Sequence, residues 1–142
     1  MNMDCIAIVA FLLRTAESTE DLRPVNLRCG SYCVYLGLKA TEIPIKSFEE
    51  LETFLGQPGP AGYSMLQLQQ AAEHFGAHTL ALDTKIENLQ RRKDQFVCIV
   101  LLQGNHFVNV YDLGQGKARI VDPPDEYVLP MDTFRAMWDG KA

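Results

Sequence analysis

The sequence predicts an α+β fold, with helices filling the first half and short antiparallel strands the second. Three observations carry that expectation. Apolar residues recur at three- and four-residue spacing through residues 29–38, 48–55 and 65–75, the period of helices with one buried face. Phe96-Val97-Cys98-Ile99-Val100-Leu101-Leu102 is a continuous apolar run, as in a strand covered on both faces. Gln103-Gly104-Asn105 and Gly114-Gln115-Gly116 then supply hairpin turns, on either side of a run that opens at His106 and before another ending at Asp122. At 142 residues the chain is long enough for one core that needs no disulfide staples.

Residues 1–20 read as an N-terminal apolar segment and residues 21–142 as a single domain. The run Cys5-Ile6-Ala7-Ile8-Val9-Ala10-Phe11-Leu12-Leu13 is too short to span a bilayer. Asp4 stands where a signal peptide would carry positive charge, so the segment reads as a packed helix or an anchor on the core, with a weak signal-like segment as the alternative. A polar loop with Pro24 follows, and the apolar residues from Cys29 to Leu38 go nearly all round, as in a central buried helix. Ser47-x-x-Glu50 and Ser64-x-x-Gln67 have the spacing of capping boxes and open two further helices, the second ended by Gly76. Between them Gly56-Gln57-Pro58-Gly59-Pro60-Ala61-Gly62 is a loop. Residues 78–83 read as a short strand, and Ile86-Glu87-Asn88-Leu89 as a helical turn. A brief pairing of Tyr127-Val128-Leu129 and a last helical turn with Phe134, Met137 and Trp138 complete the chain.

Composition excludes several classes. A formal net charge of −5, with Gln90-Arg91-Arg92-Lys93 the one basic cluster, argues against a nucleic-acid partner. Cys5 and Cys98 lie in apolar runs and read as buried free thiols, which points to a reducing cytoplasm rather than a secreted disulfide framework. Cys29-x3-Cys33 lacks a second pair at ligand spacing, and His74 and His78 are separated by a helix end. Neither a metal nor a cofactor is therefore expected.

The chemistry centres on Cys29. A cysteine opening a helix sits among unpaired backbone N–H groups, where the positive end of the helix dipole favours a thiolate. Taken alone it reads more readily as a small core hydrophobe than as a nucleophile, and a nucleophile needs a base with an orienting group behind it. His106 opens a strand after a glycine-containing turn, sharing the face of Val108 and Val110. Asp122 ends the neighbouring strand before two prolines, so an antiparallel pair brings the two together. Cysteine, histidine and carboxylate are the nucleophile, base and orienter of acyl transfer.

Cys29-Gly30 opening an apolar helix, Gly62-Tyr63-Ser64-Met65-Leu66-Gln67-Leu68 with Ala71-Ala72 and Phe75-Gly76, Asn105-His106-Phe107-Val108, Val121-Asp122-Pro123, and Phe134 with Trp138-Asp139-Gly140 occur in this order. Together they resemble the bacteriocin-processing cysteine peptidases. The resemblance implies a papain-like fold, cleavage of a leader peptide after small residues such as Gly-Gly, and a catalytic triad of Cys29, His106 and Asp122. It implies a peptide or protein substrate and an ABC exporter as partner, here encoded separately because the chain reads as a stand-alone domain. Where such peptidases carry an oxyanion-hole glutamine, six residues before the cysteine, this sequence has Arg23, and Asn26 is the candidate replacement amide. Losing a side-chain oxyanion donor costs about 10²–10³ in rate, so Arg23 also leaves room for a degenerate domain that binds a peptide without cutting it. Arg28 replaces the family's acidic residue before the cysteine, where its positive charge would favour thiolate.

Overall fold

The computed structural model describes residues 5–9, 27–91, 96–102, 106–123 and 125–138. Strand β1 (Cys5–Val9) precedes helices α1 (Cys29–Ala40), α2 (Phe48–Leu55) and α3 (Met65–His74). Strand β2 (His78–Leu82) and the short helix α4 (Ile86–Gln90) lead into β3 (Phe96–Leu102), β4 (His106–Asp112), β5 (Lys117–Asp122) and β6 (Asp125–Pro130). Helix α5 (Met131–Trp138) closes the described chain. The turn expected at residues 103–105 lies outside the described residues.

The strands form one sheet in the order β2-β1-β3-β4-β5-β6. From β3 to β6 each pair is antiparallel, as the hairpin turns predict. The other two strands extend this meander. β1 pairs in parallel with both β2 and β3, which antiparallel hairpins alone did not anticipate. Parallel neighbours need a long crossover, and α1 to α3 provide it between β1 and β2.

The helix expected within residues 1–20 is corrected to a strand over Cys5–Val9; the remainder of that segment lies outside the described residues. The physical reason is its composition. Ile6, Ile8 and Val9 are β-branched, and a short apolar run with ladders on both sides suits an interior strand. The brief pairing expected around Val128 is likewise longer, running from Asp122 opposite Asp125 to Lys117 opposite Pro130. The proline is tolerated because β6 is an edge strand.

Caps fix the helices. Ser64 and Gln67 form the full reciprocal box, with Ser64 N–H donating to Gln67 Oε1 at 2.8 Å and Gln67 N–H to Ser64 Oγ at 3.2 Å. At α2 only half of the expected box forms. Ser47 Oγ accepts from Glu50 N–H, but the Glu50 carboxylate accepts from Lys46 N–H, one residue earlier than the reciprocal bond requires.

Side chains alternate along β3 and β4 and so feed two cores. Ile99 and Phe107 pack with α1, α2 and α3 around Val34, Leu38, Leu51 and Leu68. Cys98, Val100, Val108 and Val110 point the other way, to Ile86 and Leu89 of α4 and to Phe134 and Trp138 of α5. The first core is what seats the N-terminus of α1 against β4.

Candidate active site

Cys29 is the first residue of α1 and is buried. Close packing holds it in place. A Cβ on Gly30 would stand 2.8 Å from Leu68 Cδ1 and 3.2 Å from Phe107 Cδ2, so a larger residue would lift the helix start from α3 and β4. On its approach the chain passes under the 56–62 loop. There Gly62, at φ +86°, lies against the Leu27 carbonyl, 3.2 Å from where a Cβ would be.

The register of β4 with β5 reaches Asn109 opposite Val121. Beyond that point the start of β4 overhangs, and the Phe107 N–H donates to Cys29 Sγ at 3.4 Å. A backbone donor aimed at sulfur supports negative charge there. His106 has the side-chain parity of Val108 and Val110, and Asp122 that of Ala118 and Ile120, so both leave the same face at the same end of the sheet. They meet there: His106 Nε2 lies 2.8 Å from Asp122 Oδ1.

The Cys29 side chain lies beside the ring and acts on its pKa. With Nε2 on the carboxylate, Nδ1 is the atom left for the sulfur. The pKa of His106 is pushed up from 6.5 to about 9. The Cys29 side chain is the largest cause, partial burial opposes it, and the hydrogen bond and charge of Asp122 add to the rise. The ring is therefore protonated at neutral pH, held between a sulfur and a carboxylate. Such a pair can deliver a nucleophilic thiolate and, next to it, a proton for a leaving group.

Of the residues singled out from sequence, Cys29, His106 and Asp122 come together. Arg23 and Asn26 lie outside the described residues. Arg28 does not act as a lone charge beside the sulfur, because its Nη1 pairs with Glu52 Oε2. Cys33, one turn on, is a free thiol, like Cys29. Burial pushes its pKa well above the ordinary thiol value, and Cys29 and Asp122 push it further, so it stays protonated.

Two groups near the site were not anticipated. Asn109 is fully buried on the face toward α1, and its Nδ2 donates to the Cys33 carbonyl at 3.2 Å. Glu52, on α2, bonds Ser31 and Arg28 on either side of the cysteine. Helical periodicity placed Glu52 next to buried Leu51, but no spacing rule links residues this far apart in sequence.

No helix among the described residues is long and apolar enough to cross a membrane. A family model, that of the Peptidase C39 family, matches residues 27–142. The match begins downstream of Arg23 and Asn26. The chain is similar to a solved structure, the crystal structure of a double glycine motif protease from an AMS/PCAT transporter in complex with the leader peptide. The TM-score is 0.64 at 24% identity, covering 86% of this chain and 84% of that one. At that identity the likeness establishes the fold, papain-like and α+β. No curated protein sequence matches the chain.

Proposed function

The chain belongs to the Peptidase C39 family, a family of cysteine peptidases, and from that premise we propose that it cuts a peptide bond with Cys29 as nucleophile, His106 as proton carrier and Asp122 as orienting carboxylate. One observation carries the reading: the imidazole that bonds Asp122 Oδ1 at 2.8 Å also lies beside the Cys29 side chain, at the start of a helix.

In this reading the Cys29 thiolate attacks the scissile carbonyl carbon, and the oxygen that takes up the charge faces the unpaired N–H groups of the first turn of α1. The C–N bond breaks as the His106 proton moves to the leaving amine, and the acyl group stays on sulfur as a thioester. Water then attacks, giving its proton to His106, and the C–S bond breaks to release the acid and restore the thiolate. Asp122 holds the ring in one tautomer and balances its positive form.

The substrate is a peptide with small residues, such as a double glycine, before the cut. The similar protease was crystallised with a leader peptide and comes from a transporter. That supports a leader-like substrate, and an ABC exporter as partner on the cytoplasmic side. The test is a purified chain with a peptide carrying Gly-Gly before a reporter sequence. Cleavage after the second glycine that disappears in Cys29→Ala is expected, whereas cleavage unchanged in Cys29→Ala would overturn the mechanism.

A second reading rests on Arg23, which stands where the resemblance implies an oxyanion glutamine. In it the domain binds a peptide in the same cleft and turns it over slowly or not at all. Arg23→Gln separates the two. A gain of about 10²-fold or more marks eroded catalysis, and tight peptide binding with no turnover in either form marks a binding domain.

A further inference from the structure

The first turn of α1 lacks the usual means of holding its own N-terminus. Arg28, at the N-cap, makes no side-chain capping bond, and none of the residues of that turn is acidic. A helix start is ordinarily stabilised by a side-chain acceptor or a carboxylate within its first turn. Here a carboxylate comes from the neighbouring helix. Glu52 Oε1 accepts a hydrogen bond from Ser31 Oγ at 2.8 Å, and Glu52 Oε2 pairs with Arg28 Nη1. The Ser31 hydroxyl also lies 2.9 Å from the Arg28 carbonyl oxygen, which ties the two contacts together across the turn.

Arg28 immediately precedes Cys29, and Ser31 follows it by two residues. One side chain on α2 therefore bonds a side chain on either side of the sulfur-bearing residue. We propose that Glu52 is a positioning residue for the nucleophile, clamping the first turn of α1 from outside and balancing the Arg28 charge next to the sulfur. This rests on the reading of Cys29 as nucleophile.

The clamp has a geometric and an electrostatic consequence. Attack by sulfur needs the thiolate placed to within fractions of an ångström of the carbonyl carbon and of His106, and a shift of about 1 Å costs up to 10²-fold in rate. Glu52 and Arg28 carry opposite charges, so their pair is formally neutral. Removing the carboxylate leaves the neighbourhood of the sulfur one unit more positive and favours thiolate, while removing the guanidinium leaves it one unit more negative and favours thiol. Among the described residues, the other titratable groups facing Cys29 are His106 on β4, Asp122 behind it on β5 and Cys33 along α1. From α3 and β3 the helix meets apolar Leu68, Ala71 and Ile99. None of these is altered in the test.

The experiment compares wild type, Glu52→Gln, Arg28→Gln and the double variant in two assays. One is the pH dependence of Cys29 alkylation by iodoacetamide, and the other is cleavage of the Gly-Gly peptide. The alkylation midpoint is expected to fall in Glu52→Gln, to rise in Arg28→Gln, and to return near wild type in the double variant. In Glu52→Gln kcat is expected to fall roughly 10- to 100-fold with KM unchanged, because the carboxylate does not touch substrate.

Midpoints that stay together in all four proteins, or move in the same direction, would overturn the proposal. Should Glu52→Gln not fold, Arg28→Gln alone decides by the sign of its shift. The alkylation assay needs no peptidase activity. Opposed shifts in a protein that cuts no peptide would leave the clamp standing and remove the peptidase reading; cleavage with unmoved midpoints would do the reverse.

Discussion

The two faces of the sheet are packed with different kinds of side chain. On the face of α4 and α5 the buried cluster is wholly apolar, from Val108 and Ile120 on the strands to Phe134 and Trp138 on the last helix, whose rings stack at 5.4 Å. The buried polar side chains among the described residues, Ser31, Thr41 and Asn109, all belong to the other layer, on α1, at its cap or facing it from β4. Burying a polar group costs free energy unless each hydrogen bond is replaced. The face toward α1 holds all three of these residues and also presents Cys29, while on α5 the Nε of Arg135 is likewise buried with no hydrogen-bond partner among the described residues.

The site joins the two layers at the end of the sheet. Cys29 comes from the helical layer, whereas His106 and Asp122 carry the parity of the apolar face and reach round the ends of their strands. Paired substitutions should therefore separate activity from stability. Cys29→Ala and His106→Ala are each expected to lower kcat/KM by about 10³-fold or more while leaving the chain folded. Trp138→Ala, fully buried on the far face, should cost about 3–5 kcal/mol in urea unfolding while the folded fraction keeps its specific activity. An inactive but fully folded Trp138→Ala would dissolve the division.

Asp122→Asn tests the junction itself and should lower kcat by roughly 10²–10⁴-fold. It should also move the alkaline limb of the pH profile. With the His106 pKa near 9, activity that needs the imidazolium persists through neutral pH and falls as pH rises through about 9. Without the carboxylate that raises it, the limb moves toward lower pH. The sign for stability follows the same shift. The ring's ordinary value of 6.5 is raised in the fold, so its contribution is fully present below pH 6.5 and is lost as pH climbs to about 9. The difference in unfolding free energy between wild type and His106→Ala should shrink across that window, and a difference that grew with pH would contradict the pairing.

The apolar layer was the more legible of the two in sequence. Alternation along β4 and β5, the glycine turns and the spacing of Phe134 and Trp138 are local signals, and they also put His106 beside Asp122 because hairpin register is a local property. The N-terminal run was not legible as β1. An apolar stretch of that length fits a helix or an interior strand equally well, and only the partners β2 and β3, far along the chain, decide it. The contact of Glu52 with Ser31 was hidden for a similar reason, since it depends on how α2 packs on α1. The pairing of Arg28 with Glu52 changed the expectation for Arg28 from lone charge to neutralised partner.

Asn109 is the sharpest point on which the polar layer can be tested, and the smallest in effect. Its Nδ2 donates to the Cys33 carbonyl, while its buried Oδ1 has no hydrogen-bond partner among the described residues. The amide also touches Tyr111, whose pKa is raised chiefly by burial, with Cys33 and Glu126 adding and the Asn109 contact opposing. Exchanging Asn109 for valine, of similar bulk and suited to a strand, removes an unsatisfied acceptor together with a modest bond. The Cys33 carbonyl keeps a partner in the helix ladder of α1, since Gly37 lies four residues on within it. The expected outcome is a gain of about 1 kcal/mol in unfolding free energy, with kcat/KM within a few-fold of wild type. A loss of stability would mean that the amide is fully satisfied in solution, and that burying polar groups beside Cys29 carries less penalty than the contrast between the two faces implies.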